Sequence, residues 1–143
     1  MDPKILFNSD YRSAVVPLIQ KARQSIRIFM YDWRWYVDGF SNDVSLINSA
    51  LISASRRGVK VQVIANSNDV PKDVLTLNFA VKSWTKTKSM HAKCIVIDSD
   101  TIILGSHNLT QNAMGLNLEI SCVVLSEPSA GLLIKYFDSI WSS

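Results

Sequence analysis

The chain has 143 residues, of which 48% are hydrophobic, 19% charged and 9% aromatic, and its net charge at pH 7 is +3. A chain of this size and composition can bury a core of its own, which excludes intrinsic disorder and a disulfide-built scaffold. We therefore expect residues 1–143 to form one domain. Residues 74–97 contain four lysines and no Asp or Glu. The sequence thus predicts one positively charged edge, which suits an acidic partner.

Apolar residues follow a period of about 2 in some segments and about 3.6 in others, which is typical of an α/β fold. In chain order the predicted elements are a strand (4–7), a helix (9–23), a strand (25–33), a helix (42–57), five strands (59–65, 79–84, 90–98, 101–104 and 118–125) and a helix (126–141). Ser9 is the predicted N-cap of the first helix, and Ser126 that of the last. The second helix is predicted to begin after Ser41 or Asn42 and to end before Gly58.

The sequence has neither a membrane segment nor a disulfide pattern. No apolar run approaches the ~18 residues of a membrane span, and the N-terminus does not resemble a secretory signal. We therefore expect a cytoplasmic protein without a membrane anchor. Cys94 and Cys122 lie in apolar segments and match no metal-ligand spacing, so we expect two buried thiols and neither a metal nor another cofactor.

Chemistry-bearing residues are concentrated between His91 and Glu119. On a strand His91 and Lys93 point to the same side, and an imidazole beside an ammonium suits attack on a phosphodiester, whose oxygens gain negative charge in the transition state. Ser106 and Asn108 also share a side, and both can donate to one phosphate. Glu119, on a neighbouring strand, is placed to accept from His91 and to fix the tautomer of that imidazole.

These residues, with Asp98, Gly105 and Asn117, form a pattern that resembles the HxKxxxxD (HKD) motif of the phospholipase D superfamily and its downstream GSxN and NxE elements. The resemblance implies a mixed β-sheet flanked by helices on both faces, with a single copy of the motif. It also implies a covalent phosphohistidine at His91, formed without a metal. The catalytic residues carried over are His91, Lys93, Asn108 and Glu119.

The remaining site residues are assigned to substrate binding or to structure. The lysine-rich approach to the motif suits a polyanion, so we expect Lys86 and Lys88 to contact substrate together with Lys93, Ser106 and Asn108. Asp98 has the opposite parity to His91 on the predicted strand, and we expect it to stabilise the strand end. Gly105 is likewise predicted to be structural.

A second histidine is needed opposite the nucleophile, because in-line displacement at phosphorus requires a general acid for the leaving group. His107 is the only other histidine, and by alternation it faces away from the phosphate that Ser106 and Asn108 bind. Small single-motif members of the superfamily pair as homodimers. The resemblance therefore implies a two-fold dimer in which one His91 attacks and the other protonates the leaving group.

The predicted function is that of a metal-independent endonuclease acting on nucleic acid. One alternative is a phospholipid hydrolase or phosphatidyl transferase, although the sequence has no basic amphipathic helix for reaching a bilayer. Another is a non-catalytic nucleic-acid-binding module of a larger assembly. The sequence leaves open DNA or RNA, single or double strands, sequence specificity and whether the domain is part of a longer protein.

Two tryptophan-containing segments have two interpretations each. Trp33, Arg34 and Trp35 follow each other at the end of a predicted strand. They form either a stacking surface for unpaired bases or a packing element of the core or the dimer interface, and we favour packing. The same two roles are open for Trp84.

Overall fold

The computed structural model of the chain describes residues 2–36 and 42–143. Its strands are β1 (Lys4–Phe7), β2 (Ser25–Trp33), β3 (Lys60–Asn68), β4 (Phe79–Ser83), β5 (Lys93–Ile97), β6 (Thr101–Gly105) and β7 (Ile120–Leu125). Its helices are α1 (Asp10–Lys21), α2 (Asp43–Arg56), α3 (Gln111–Gly115) and α4 (Glu127–Trp141), with a 3₁₀ turn over Lys72–Val74.

The seven described strands form one mixed sheet in the order β1-β7-β6-β5-β2-β3-β4. Strands β2, β3 and β4 run parallel, whereas β5, β6, β7 and β1 pair antiparallel with their neighbours. The predicted mixed α/β sheet is therefore confirmed.

Helices cover both faces of this sheet because the side chains of each strand alternate between two cores. Ile28 of β2 belongs to the core beneath α1 and α2, together with Val15 and Leu51. The next residue, Phe29, belongs to the core beneath α4, where it meets the ring of Phe137 at 5.0 Å between centroids. The two-sided covering that the resemblance implied is present.

The helix caps agree only in part with the sequence pattern. Asn42 caps α2, since its side chain accepts a hydrogen bond from the backbone N–H of Ser45 at 2.8 Å, while the other candidate, Ser41, lies outside the described residues. Gly58, just past the end of α2, has a φ of +100°, which glycine adopts without strain. Ser9, by contrast, makes no side-chain capping bond to α1.

Several elements differ from the prediction, and in the strands tertiary pairing overrides local composition. Strand β3 continues to Asn68, where it pairs in parallel with Trp33, although residues 66–71 look turn-rich. Strand β5 begins at Lys93 instead of residue 90. The five-residue helix α3 was missed; it begins at the cap Thr110, whose hydroxyl accepts from the N–H of Ala113 at 3.2 Å.

The strand directions bring the chemistry-bearing residues to one edge of the sheet. Strand β6 ends at Gly105, and its antiparallel neighbours β5 and β7 begin at Lys93 and Ile120. Strand β2, which is antiparallel to β5, ends at Trp33 on the same edge. Residues just beyond these strand ends can therefore meet, although His91 and Glu119 are 28 positions apart in the chain.

Candidate active site

His91 and Lys93 form the centre of the site. His91 is exposed and stands just before β5, and Lys93 is the half-buried first residue of that strand. The Lys93 Nζ lies 2.9 Å from Nδ1 of His91 and 3.4 Å from Nε2. The predicted proximity of imidazole and ammonium is therefore present, although His91 itself is outside the strand.

Tyr31 is a member of this cluster that sequence reasoning missed. Its ring lies 4.6 Å from the ring of His91, and Lys93 Nζ lies 5.5 Å from its centroid. Tyr31 is on β2, which pairs with the start of β5 through Met30 and Lys93. A single sequence carries no signal for this pairing, because the two strands are separated by about half of the chain.

Burial lowers the pKa of the Lys93 ammonium, because desolvation disfavours its charged form, and the negative charge of Glu119 opposes this shift. Because the ammonium has lost part of its hydration, a charge-assisted hydrogen bond to an anion stabilises it. Lys93 is therefore well placed to bind a phosphate oxygen that enters next to His91.

Glu119 contacts Ser106 and Asn117 and not His91. Its Oε1 accepts a 2.5 Å hydrogen bond from the Ser106 hydroxyl, and its Oε2 accepts from Asn117 Nδ2 at 3.1 Å. The predicted hydrogen bond between His91 and Glu119 is absent from the described structure, because these two neighbours hold the carboxylate.

The same contacts correct the expectation for Ser106. A hydroxyl has one proton, and that of Ser106 is donated to Glu119, while its oxygen accepts from the N–H of Ile120 at 3.0 Å. Ser106 is therefore not a phosphate donor in this arrangement, and instead it links Glu119 to the start of β7.

Asn108 forms part of the lining of a polar cavity. Its Oδ1 accepts from the backbone N–H of Asp32 at 3.1 Å, which leaves the Nδ2 amide as the group that can donate to a ligand. The cavity has a volume of 410 Å³ and is lined by Asp32, Arg34, Tyr36, Asn108, Thr110, Asn112 and Asn117.

Lys86 and Lys88 lie in the loop between β4 and β5 and do not contact His91. Lys86 Nζ is 5.7 Å from the ring centroid of Trp84, and the Lys88 carbonyl accepts from the Trp84 indole N–H at 2.7 Å. Lys88 nevertheless lines a second cavity that touches His91. Both side chains are exposed at the approach to the site.

Gly105 is required by a close approach of two strands. A Cβ at this position would overlap the backbone and side chain of Ser121 on β7. The absence of a side chain therefore lets β6 and β7 converge where Ser106 meets Glu119.

Asp98 lies at the opposite end of β5 from His91. Its carboxylate accepts hydrogen bonds from the backbone N–H groups of Arg23, Gln24 and Ser25, at 2.7 to 3.2 Å. These contacts hold the connection between α1 and β2, and they place the Asp98 carboxylate at the sheet edge away from the candidate site.

His107 is fully buried, with β7, the turn at Asn8 and α1 around its ring. Its Nδ1 lies 2.7 Å from the Ser121 hydroxyl, its Nε2 lies 2.9 Å from the Asn8 carbonyl, and its ring stacks on Tyr11 at 4.5 Å. Burial lowers the pKa of His107, although the Asn8 carbonyl and the charge of Glu119 oppose this shift. The neutral imidazole is thus part of the core, with one nitrogen donating and the other accepting.

The folding stability of the protein should consequently fall below neutral pH. His107 in the unfolded chain titrates near pH 6.5, whereas in the native state its pKa is lower, so between these values the unfolded chain binds more protons. We expect the free energy of unfolding to decrease as the pH falls from about 7.5 to 5.5. In His107→Gln, the free energy of unfolding measured by urea titration should depend less on pH, even if the variant is less stable than the parent. Equal slopes for the variant and the parent would exclude His107 as the source, and Thr87→Gln controls for the added amide.

The tryptophans at the end of β2 pack in the core. Trp33 is fully buried, donates its indole N–H to Asn48 Oδ1 at 2.8 Å and stacks on Phe79 at 6.2 Å. Trp35 packs against the same cluster. Arg34 is exposed and forms an ion pair with Asp32 at 2.9 Å. Both tryptophans of this segment therefore pack in or against the core, as the packing interpretation predicts.

The described ranges, 2–36 and 42–143, contain neither a group of metal-binding side chains nor a helix that could span a membrane. No three His, Cys, Asp or Glu side chains within these ranges are grouped to hold a metal ion. None of the helices that they contain is long and apolar enough to cross a membrane.

Comparison with known families gives a match over most of the chain. The family described as cardiolipin synthase, PLD-like domain, matches residues 15–141. A curated relative, phospholipase D of Rickettsia prowazekii (strain Madrid E), is 32% identical over 111 residues, which are 73% of this chain and 50% of that protein. The chain thus spans about half the length of the curated relatives it matches.

Solved structures share the fold over nearly the full chain. NucT from Helicobacter pylori superposes with a TM-score of 0.80 and 22% identity, covering 99% of this chain and 96% of that one. Nuc from Salmonella typhimurium, described as a phospholipase D family member, gives a TM-score of 0.75 and 21% identity, covering 99% and 95%.

Proposed function

Since the chain belongs to the phospholipase D superfamily, whose members are in general phosphodiesterases, we propose that it hydrolyses phosphodiester bonds of nucleic acid with His91 as the nucleophile. The observation that carries the proposal is the 2.9 Å contact between Lys93 Nζ and His91 Nδ1 at the sheet edge. An exposed imidazole beside a partly desolvated ammonium can attack phosphorus while the cation balances the charge of the equatorial oxygens.

The reaction proceeds in two displacements at phosphorus. A ring nitrogen of His91 forms the P–N bond as the P–O bond to the leaving group breaks, and the leaving oxygen takes a proton from a general acid. Water then attacks the phosphohistidine, loses its proton to the same group and restores the free imidazole. Lys93 and the Nδ2 amide of Asn108 donate to the non-bridging oxygens in both steps.

Glu119 and Ser106 support the site through their neighbours. The Glu119 carboxylate acts on Lys93 by charge and favours its protonated form, which is the form that binds phosphate. Its hydrogen bond with Ser106 joins the ends of β6 and β7. Glu119 is therefore a positioning residue in this proposal.

The general acid comes from a second copy of the chain. The sequence has two histidines, and His107 is buried with both ring nitrogens engaged. The remaining candidate for an imidazole opposite His91 is His91 of another protomer, related by a two-fold axis. One copy then attacks phosphorus and the other protonates the leaving group.

An exposed apolar surface next to the site supports this pairing. The strand register places four side chains on the α4 face of β1, β6 and β7, each about half exposed: Ile5, Phe7, Leu104 and Ile120. Ile120 directly follows Glu119 in the chain, so this surface reaches the catalytic edge. Contiguous exposed apolar side chains of this kind are typical of protein interfaces.

Mixing wild-type and His91→Asn chains tests the shared site. If each active site needs two His91 side chains, equal amounts co-refolded should have about one quarter of the activity of wild-type protein at the same total chain concentration. The reason is that only about one dimer in four has two wild-type chains. Protomers that act independently would retain about half of that activity, which would contradict the shared site. A protein that is monomeric by light scattering and fully active would contradict it as well.

The lysine-rich loop favours nucleic acid as the substrate, because residues 74–97 carry four lysines and no acidic residue and so attract a polyanion. The curated relative named phospholipase D supports phospholipid as the second candidate. Both contain the phosphodiester bond on which the site chemistry acts.

A cleavage assay in excess EDTA separates these candidates. The substrates are labelled single-stranded DNA, duplex DNA, RNA and phosphatidylcholine vesicles, each incubated with the full chain. We expect cutting of nucleic acid that survives chelation, since the proposed nucleophile is a side chain and not a metal-bound water. If only the vesicles are hydrolysed, the protein is a phospholipase and not a nuclease. If chelation abolishes the activity, the metal-independent mechanism is wrong.

A further inference from the structure

A cavity of 260 Å³ beside His91 has no part in the mechanism above. It opens between the loop that joins β4 to β5 and the C-terminal half of α4. Besides His91, its lining includes Phe29, Trp84, Met90, Tyr136 and Ile140. The cavity is therefore mainly apolar and aromatic, and His91 forms part of its wall.

Two aromatic side chains give this cavity planar surfaces. The Trp84 ring is held in place by its indole N–H, which donates to the Lys88 carbonyl at 2.7 Å. Tyr136 is 60% exposed, and its ring lies 6.0 Å from that of Phe29. Exposed rings of this kind bind nucleobases by stacking, without preference for a particular base.

Positive charge surrounds the opening. Lys88 belongs to the lining, Lys86 lies over the ring of Trp84 at 5.7 Å, and Lys93 stands next to His91. Alternating cations and aromatic rings suit a ligand that alternates phosphates with flat bases. The acyl tail of a lipid, by contrast, carries no negative charge that these lysines could bind.

We propose that this cavity binds an unpaired base of the nucleotide next to the scissile phosphate, so that the substrate is single-stranded nucleic acid. A base in a duplex is stacked and paired, and it must be extruded before it can enter such a cavity. The volume is below the ~300–1,000 Å³ of sites for drug-sized ligands and suits a single ring system. This inference rests on the proposed function, because it names the substrate class of the same site.

Binding measurements test the base pocket separately from catalysis. In a His91→Asn background, which prevents turnover, fluorescence anisotropy reports the affinity for a short labelled single-stranded oligonucleotide. Tyr136→Ala should weaken binding roughly 5- to 150-fold, the range expected for the loss of one stacked base. Trp84→Leu, which keeps apolar packing, should act in the same direction, and Tyr136→Phe should bind like the parent.

Leu132→Ala is the matched control, because Leu132 is 73% exposed on the same helix and outside the cavity lining. It should leave the affinity unchanged. An oligonucleotide with abasic sites should bind equally to the parent and to Tyr136→Ala. Unchanged affinity in both Tyr136→Ala and Trp84→Leu, or duplex binding as tight as single-strand binding, overturns the base pocket.

Cleavage by the wild-type chain decides the proposed function independently. If the chain cuts oligonucleotides but the pocket variants bind like the parent, the nuclease stands and the base pocket fails. If it cuts none of them, the nuclease fails, and the anisotropy series still decides whether the pocket holds a base. If Tyr136→Ala impairs only the hydrolysis of phosphatidylcholine vesicles, the cavity accepts an acyl chain and the inference is overturned.

Discussion

His91→Ala should abolish phosphodiester hydrolysis, with a loss of at least about 10³-fold in kcat/KM, and leave a folded protein. The loss is large because the nucleophile forms the covalent intermediate, and the other histidine, His107, is buried with both ring nitrogens engaged. The fold should be unaffected because His91 is exposed and precedes β5. The measurement is cleavage of the preferred labelled substrate in excess EDTA, with the melting temperature followed in parallel.

Two controls sharpen this result. Thr87→Ala changes an exposed residue of the same loop and should keep wild-type activity. Wild-type protein quenched during turnover should carry labelled substrate covalently, through a bond that is lost in acid and survives in alkali, as expected for a phosphohistidine. Retained activity in His91→Ala, or a covalent adduct in that variant, would place the nucleophile elsewhere.

Trp33→Ala should lower the free energy of unfolding by about 3–5 kcal/mol. The substitution opens a cavity in the larger core, where Trp33 is fully buried against Phe79, and it leaves Asn48 Oδ1 without its indole donor. Urea unfolding measures the change. Leu77→Ala is the comparison, since Leu77 is 100% exposed and should change the stability little.

The same variant tests the two roles considered for the segment around Trp33. If Trp33 stacked on unpaired bases, its loss would weaken oligonucleotide binding and leave the stability unchanged. We expect the reverse, because the ring is enclosed by the core. Trp33→Phe refills most of the volume but cannot donate to Asn48, so it should fall between the wild type and Trp33→Ala.

The fold class could be predicted because its signal is local. Short runs rich in apolar residues mark β2, β6 and β7, and the polar side chain of Asn42 marks the start of α2, each within a few residues. The end of β3 could not be predicted in this way. Residues up to Asn68 stay extended because they pair with β2, a contact between segments 35 positions apart in the chain.

The candidate site was predictable to the extent that it is a motif. His91 and Lys93 are two residues apart in an extended segment, so their proximity follows from backbone geometry. Tyr31 was missed because it reaches His91 from another strand. The cavity beside His91 was missed as well, since Trp84 and Tyr136 come from a loop and a helix whose packing no sequence period describes.

By itself, the sequence determined the order of the seven described strands and the three long helices, the family pattern and the histidine–lysine pair, because periodicity and short spacings are properties of neighbouring residues. Only the tertiary structure decided how the polar groups divide their hydrogen bonds. The Ser106 proton goes to Glu119 and both nitrogens of His107 are engaged in the core. These choices depend on which partners the sheet places within about 3 Å, the separation that a hydrogen bond requires.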